Sequence, residues 1–193
     1  MRIYLIRHGE TDWNLEGKLQ GREDIPLNEN GIRQAYICGQ AFTGRRIKAV
    51  ITSPLIRAKR TAEIIAESIG LPQIIVEEGL IERDFGVLAG RTYDSKKYFD
   101  TFGIEEGIEN WEELHNRLIG CIKRLAERYY DEDIILVSHG AAINSVISVL
   151  SNGEFGSGKT RLKNACISII EYQEGRLQLK QYNLTAEEFT AVP

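Results

Sequence analysis

Short runs of consecutive apolar residues alternate along this chain with longer stretches in which apolar positions recur every three or four residues. That is the pattern of strands feeding into helices. Residues 2–7 (Arg-Ile-Tyr-Leu-Ile-Arg), 48–52 (Lys-Ala-Val-Ile-Thr), 74–76 and 134–138 (Ile-Ile-Leu-Val-Ser) predict strands, the last apolar enough to be buried on both faces. Helical spacing predicts a helix over about 28–43, with Ile32, Ala35, Tyr36 and Ile37 as its apolar positions. It predicts a longer one over 110–130, with Trp111, Leu114, Leu118, Ile122 and Leu125 on one face, and a third over 141–151. Ser53-Pro54 reads as a helix start, Ser as the cap and Pro in the first turn. That helix runs to Ser68, with Gly70 beyond its end and Pro72 blocking continuation. A short helix near 94–102 and a hairpin of 165–172 with 176–183 around Glu174-Gly175 complete the reading. Strands alternating with helices predict an α/β fold in one domain over 1–193, with a mostly parallel central sheet covered by helices on both faces, three α/β/α layers.

Composition narrows the class. Hydrophobic residues make up 42% and charged residues 27% of the 193, an ordinary globular balance. A net charge of −4 argues against a nucleic-acid binder, although it leaves a local basic cleft open. Cys38, Cys121 and Cys166 are odd in number, far apart and without metal-ligand spacing, so they read as reduced core residues. No stretch reaches the ~18 apolar residues of a membrane span, and residues 1–6 lack a secretory signal's apolar region. The expected address is the cytoplasm; homodimerisation is left open.

Chemistry gathers at strand ends. The first strand runs into Arg7-His8-Gly9-Glu10-Thr11, the second into Ser53-Pro54 and Arg57, and the central one into Ser138-His139-Gly140. Ligands in open parallel sheets bind outside the carboxyl ends of the strands, so Arg7, His8, Arg57 and His139 are expected to converge there. Two guanidiniums and two imidazoles around one point call for an anion, and a phosphoryl group suits Arg's forked donors. Helix N-termini after Ser53 and Gly140 are expected to add backbone donors. Each residue alone is equally an ordinary buried or surface residue; the conjunction carries the argument.

These same residues carry a resemblance. Arg7-His8-Gly9-Glu10-Thr11, then Asn14, Gln20-Gly21, Pro26-Leu27, Ser53-Pro54, Arg57, Thr61-Ala62, Leu80-Ile-Glu82-Arg-Asp-Phe-Gly86 and Val137-Ser-His139-Gly140 follow in order over about 140 residues. The series resembles the histidine phosphatase superfamily, the phosphoglycerate-mutase-like proteins. The resemblance implies that His8 attacks phosphorus and becomes a phosphohistidine. It implies that Arg7, Arg57 and His139 hold the phosphoryl oxygens, with Asn14 a further contact. Glu82 is implied as the acid that protonates the leaving oxygen and then the base that activates water. Gln20, Gly21 and Gly140 are implied to lie close to the substrate, a small phosphorylated metabolite. The attack needs a neutral His8, while a nearby phosphate favours a protonated His139. That chemistry requires no metal and no organic cofactor.

The family contains phosphatases and cofactor-dependent phosphoglycerate mutases, and this chain departs from the mutase pattern. Phe85 stands where those mutases have Tyr, Ala141 where they have Asn, and Tyr93 where they have a binding Lys. No adjacent Arg pair occurs between Gly90 and Asn116. Hydrolysis is the expected outcome, with mutase as the alternative. Residues 86–110 are expected to cover the pocket mouth, Arg91, Lys96 and Lys97 against a second negative group or Tyr93, Tyr98 and Phe99 against an apolar one. A catalytically silent binding module is a further alternative. So is a nucleotide-binding P-loop at Gly153-Glu-Phe-Gly-Ser-Gly158-Lys159-Thr160, but that motif needs a strand before it and a helix after, and here the order reads inverted. Asp84-Phe85-Gly86 lacks the rest of a kinase. His115, beside Glu112 and Glu113, reads as solvated.

Overall fold

The buried apolar runs become the middle of a sheet. In a computed structural model that describes residues 1–71, 73–92, 107–156 and 158–191, the strands are β1 (Arg2–Arg7), β2 (Ala49–Thr52), β3 (Ile74–Val76), β4 (Ile134–Ser138), β5 (Ile167–Gln173) and β6 (Arg176–Leu184). They form one sheet in the order β3-β2-β4-β1-β5-β6. The first four strands of that order pair in parallel; β5 runs antiparallel to β1, and β6 antiparallel to β5. The expected helix near 94–102, Pro72, and Tyr93, Lys96, Lys97, Tyr98 and Phe99 lie outside the described residues.

Alternation along the strands sorts side chains to two cores. Ile3 and Leu5 of β1, with Ile134 and Leu136 of β4, pack against α4 (Trp111–Arg128) and α5 (Gly140–Leu150). Tyr4 and Ile6, with Ile135 and Val137, pack against α2 (Glu29–Gln40), α3 (Ile56–Ser68) and α6 (Ala186–Thr190). The result is the three-layer α/β/α arrangement. Phe189 of α6 is fully buried, 5.5 Å from the ring of Tyr4 and 4.7 Å from that of Phe42.

Several local expectations are corrected. A short α1 (Asp12–Leu15), not among the elements expected, is held by a capping box between Thr11 and Asn14. On α2, Ile32, Tyr36 and Ile37 face outward at 43%, 56% and 58% exposure, and the inward face is Gly31, Ala35, Cys38 and Gly39. The reason is close packing: a Cβ on Gly39 would come within 2.6 Å of Ser68 Oγ on α3. Ser53 does not cap α3. The helix starts at Ile56 after Leu55, which makes no side-chain cap bond. Trp111 is 38% exposed, its ring lying 4.0 Å beneath the Arg83 guanidinium. His115 is half-buried with Nε2 shielded from water, rather than solvated. The segment resembling a P-loop follows helix α5 and precedes strand β5, the inverted order expected from sequence, and Lys159 Nζ is bonded to Gly153 O.

Parallel register is what positions the site. Arg7 pairs with Ser138, the His8 amide donates to Ser138 O at 3.0 Å, and the Ser53 amide donates to Val137 O at 3.0 Å. Residues 8, 139 and 53 therefore leave three neighbouring strands at one level.

Candidate active site

His8 is 2% exposed, and its Nδ1 lies 2.7 Å from Gly9 O. A carbonyl only accepts, so Nδ1 carries the ring proton and Nε2 keeps its lone pair. Burial pushes the His8 pKa well below the ordinary histidine value, and the charges of Arg57 and Arg7 push it further. Its ring centroid is 5.2 Å from that of His139, which is fully buried. Burial, then Arg57, His8, Arg7 and Arg117, likewise hold His139 well below its ordinary value. The protein's own surroundings thus favour a neutral imidazole at 139, and the expected imidazolium requires the charge of a phosphoryl group beside it.

Both arginines are gripped by carbonyls. Arg57, fully buried, donates from Nη1 to Glu23 O at 2.6 Å and from Nη2 to Gly21 O at 2.7 Å. Burial lowers its pKa to about 10, opposed by Glu82 and Asp24. Arg7 Nη1 donates to Leu162 O at 2.6 Å, and a Cβ on Gly140 would sit 3.5 Å from Arg7 Nε. These bonds satisfy part of each guanidinium and aim the remainder. Among the described residues, Arg7 Nε, Arg57 Nε and His139 Nδ1 are buried without a hydrogen-bond partner. Buried polar atoms are rarely left so, and three around one histidine define a cradle for an oxyanion.

Glu82 is 6% exposed and accepts three backbone N–H groups. Oε1 takes those of Arg83 and Ala142 at 2.9 and 2.8 Å; Oε2 takes that of Ala141 at 3.1 Å. Oε2, with fewer bonds, is the oxygen with room for a proton. Part of the expected donor set at the helix N-termini is therefore committed within the protein. Two amides of the first turn of α5 serve Glu82, and Ile56 N at the start of α3 serves Asp24 Oδ1 at 2.6 Å. Both are engaged by the protein's own carboxylates.

Asn14, Gly21 and Gln20 complete the expected set. Asn14 Oδ1 accepts from Thr11 and from Asn164 Nδ2, which also donates to His8 O at 3.3 Å. Gly21 takes a left-handed φ of 54° against Phe85, where a Cβ would come within 3.2 Å of the ring. Gln20 is 7% exposed, and its Oε1 lacks a partner among the described residues. The contacts of the site tie eight of the nine expected residues to one another, and Gln20 precedes Gly21 in the chain.

A profile of the histidine phosphatase superfamily (branch 1) matches residues 3–185. The chain belongs to that superfamily. It is 42% identical over 186 residues to the uncharacterized phosphatase PhoE of Bacillus subtilis, covering 95% of each chain. It is 36% identical to the probable phosphoglycerate mutase GpmB of Klebsiella pneumoniae, over 90% of this chain and 86% of that one. Among solved structures, a phosphoserine phosphatase variant of Entamoeba histolytica in complex with phosphoserine is 31% identical, with a TM-score of 0.83 over 95% of this chain and 97% of that one. The same phosphatase has been solved with 3-phosphoglyceric acid. No helix among the described residues is long and apolar enough to cross a membrane.

Within this histidine phosphatase, further residues support the site in ways a sequence reading does not assign. Ser53, read as a helix cap, has its Oγ 2.7 Å from His139 Nε2; with the hydroxyl donating there, Nδ1 carries the proton toward the cradle. Thr61 accepts from the Gly9 amide at 3.0 Å and donates to Arg57 O at 2.7 Å. Asn164 and Arg117 carry no local signal at all, an amide in a turn and a cation on the polar side of a helix.

Proposed function

We propose that the chain hydrolyses phosphomonoesters of a small phosphorylated metabolite through a phosphohistidine at His8, as one catalytic unit over 1–193. One observation carries the reading: His8 turns a proton-free Nε2 away from its Nδ1–H bond to Gly9 O, amid three buried, unpartnered nitrogens. Nε2 attacks phosphorus, and the ester P–O bond breaks as Glu82 gives its proton to the departing oxygen. Arg7, Arg57 and His139 stabilise the charge on the equatorial oxygens, with Asn14 a further donor from its amide. Water then attacks the phosphohistidine; Glu82 takes its proton, the P–N bond breaks, and phosphate leaves. Gln20, Gly21 and Gly140 line the space beside the phosphoryl group.

Mutase activity is the second reading, favoured by the kinship with GpmB. Hydrolysis fits better because Arg22, a cation beside Glu82, is engaged by the protein's own carboxylates. Arg22 lies 3.4 Å from Asp84 and 3.5 Å from Glu109, and the positions of Phe85 and Ala141 offer a substrate carboxylate no charge or side-chain donor. A panel of phosphomonoesters run beside a phosphoglycerate-interconversion assay tests this. The expected result is phosphate release, absent in His8→Ala and reduced roughly 10²- to 10⁴-fold in Glu82→Gln for alkyl esters. Equal activity in the wild type and His8→Ala would remove the mechanism.

A further inference from the structure

Four consecutive carbonyls lead up to the Glu82 side chain, and every one accepts a side-chain donor. Gly79 O and Ile81 O accept from Arg117 Nη1 at 3.1 and 2.8 Å. Leu80 O accepts from Ser138 Oγ at 2.8 Å. Glu82 O accepts from Arg117 Nη2 and Arg22 Nε, each at 3.4 Å. A single guanidinium on α4 thus grips three of the four peptide units that carry the carboxylate.

That guanidinium is itself aimed. Its Nε and Nη2 meet Glu109 Oε1 and Oε2 at 2.9 and 2.8 Å, a forked pair, and the Glu109 side chain is 9% exposed. Burial pushes the Glu109 carboxyl up, but the hydrogen bonds and charge of Arg117 outweigh it and hold the group below its ordinary value. Glu109 also secures the far side of Glu82. Its Oε2 accepts from Asp84 N at 3.3 Å, its amide donates to Asp84 O at 3.0 Å, and its carbonyl accepts from Arg83 Nε at 2.8 Å. The backbone on both sides of Glu82 is therefore fixed to one partly buried ion pair, while the carboxylate end is fixed by the amides of α5.

A general acid works only within hydrogen-bond reach of the leaving oxygen, and a misplacement of about 1 Å costs on the order of 10²-fold in rate. We propose that Arg117, oriented by Glu109, is a positioning residue for the acid step: it sets the backbone from which Glu82 reaches the departing oxygen. The proposal rests on the reading of Glu82 as the general acid. A guanidinium is needed because its planar fork serves carbonyls and a carboxylate at once, which an ammonium does not.

The test is the dependence of kcat/KM on the leaving group, because kcat/KM covers only the steps through departure of the alcohol. Glycerol 2-phosphate loses an alkoxide that must be protonated, whereas p-nitrophenyl phosphate loses an anion that is stable unprotonated. Arg117→Met is expected to lower kcat/KM for glycerol 2-phosphate roughly 10- to 100-fold and that for p-nitrophenyl phosphate less than about threefold. Glu109→Gln should shift the ratio in the same sense, and Arg117→Lys should restore only part of it. Glu82→Gln is the reference, with the same selective loss and a larger one. Equal losses on both esters in Arg117→Met, or none, beside a selective Glu82→Gln would overturn the proposal and leave the general acid standing. A Glu82→Gln enzyme with no selectivity would sink the general-acid reading and the proposal with it. If Arg117→Met does not fold, the ratio is read on Arg117→Lys and Glu109→Gln, and an unchanged ratio in both is the overturning result.

Discussion

Two imidazoles buried among arginines make folding release protons. An unfolded histidine binds a proton near pH 6.5, whereas burial and then Arg57 hold His8 and His139 neutral to values well below that. Between those limits the unfolded chain binds more protons than the folded one, so stability falls as pH drops below about 6.5. The slope reaches on the order of 1.4 kcal/mol per pH unit for each histidine. Urea denaturation at pH 7.5 and pH 5.0 is expected to show this loss, shallower in His139→Gln, which removes one of the two groups. An identical pH dependence in that variant would place the loss elsewhere. At this scale the proposed nucleophile and the cations around it are legible in the sequence, because a charged or titratable side chain at the end of an apolar strand has no packing role to explain it. Ser53 is legible only as a residue type. Its partner, His139, lies 86 positions away, and nothing local to Ser53 announces that separation.

Helices and strands were readable to the extent that their burial is carried by large side chains. β1 and β4 match the predicted spans because both are near-continuous Ile, Leu and Val runs, buried on two faces. The inward face of α2 was not, because it is built from Gly31, Ala35, Cys38 and Gly39, which a hydrophobic pattern ranks below the exposed Ile32, Tyr36 and Ile37. The Thr185–Glu188 capping box marks the start of α6 in the sequence. The α2 contact also supports the loop that follows His8. A Cβ on Gly9 would collide with the Gly31 carbonyl, and a Cβ on Gly31 with that of Glu10, backbone against backbone with no rotamer to relieve it. Gly9→Ala is therefore expected to destabilise the protein by about 2–3 kcal/mol. It should also displace the carbonyl that holds His8 Nδ1, so activity falls further than folded fraction does. Thermal melting beside the specific activity of the folded protein checks both parts, and a melting temperature equal to that of wild type would contradict the close approach.

The whole molecule concentrates cations at one point of a chain whose net charge is −4. The Arg57 guanidinium is secured to Gly21 and Glu23, and that of Arg7 to Leu162, before any substrate arrives. Little ordering is left for binding to cost, so free phosphate should stabilise the fold by about 2.7 kcal/mol at a hundredfold excess over its Kd. A thermal shift with inorganic phosphate, lost in Arg57→Lys, is the measurement; a shift of the same size in that variant would contradict it. A cradle set in advance does not ask whether its tetrahedral guest still carries an alcohol. The last species to occupy it in each cycle fits as well as the first, so accumulating product competes with fresh ester for the same nitrogens. If the proposed hydrolysis holds, the enzyme is expected to slow itself as its output builds up, at a concentration set by the grip of three carbonyls on two arginines.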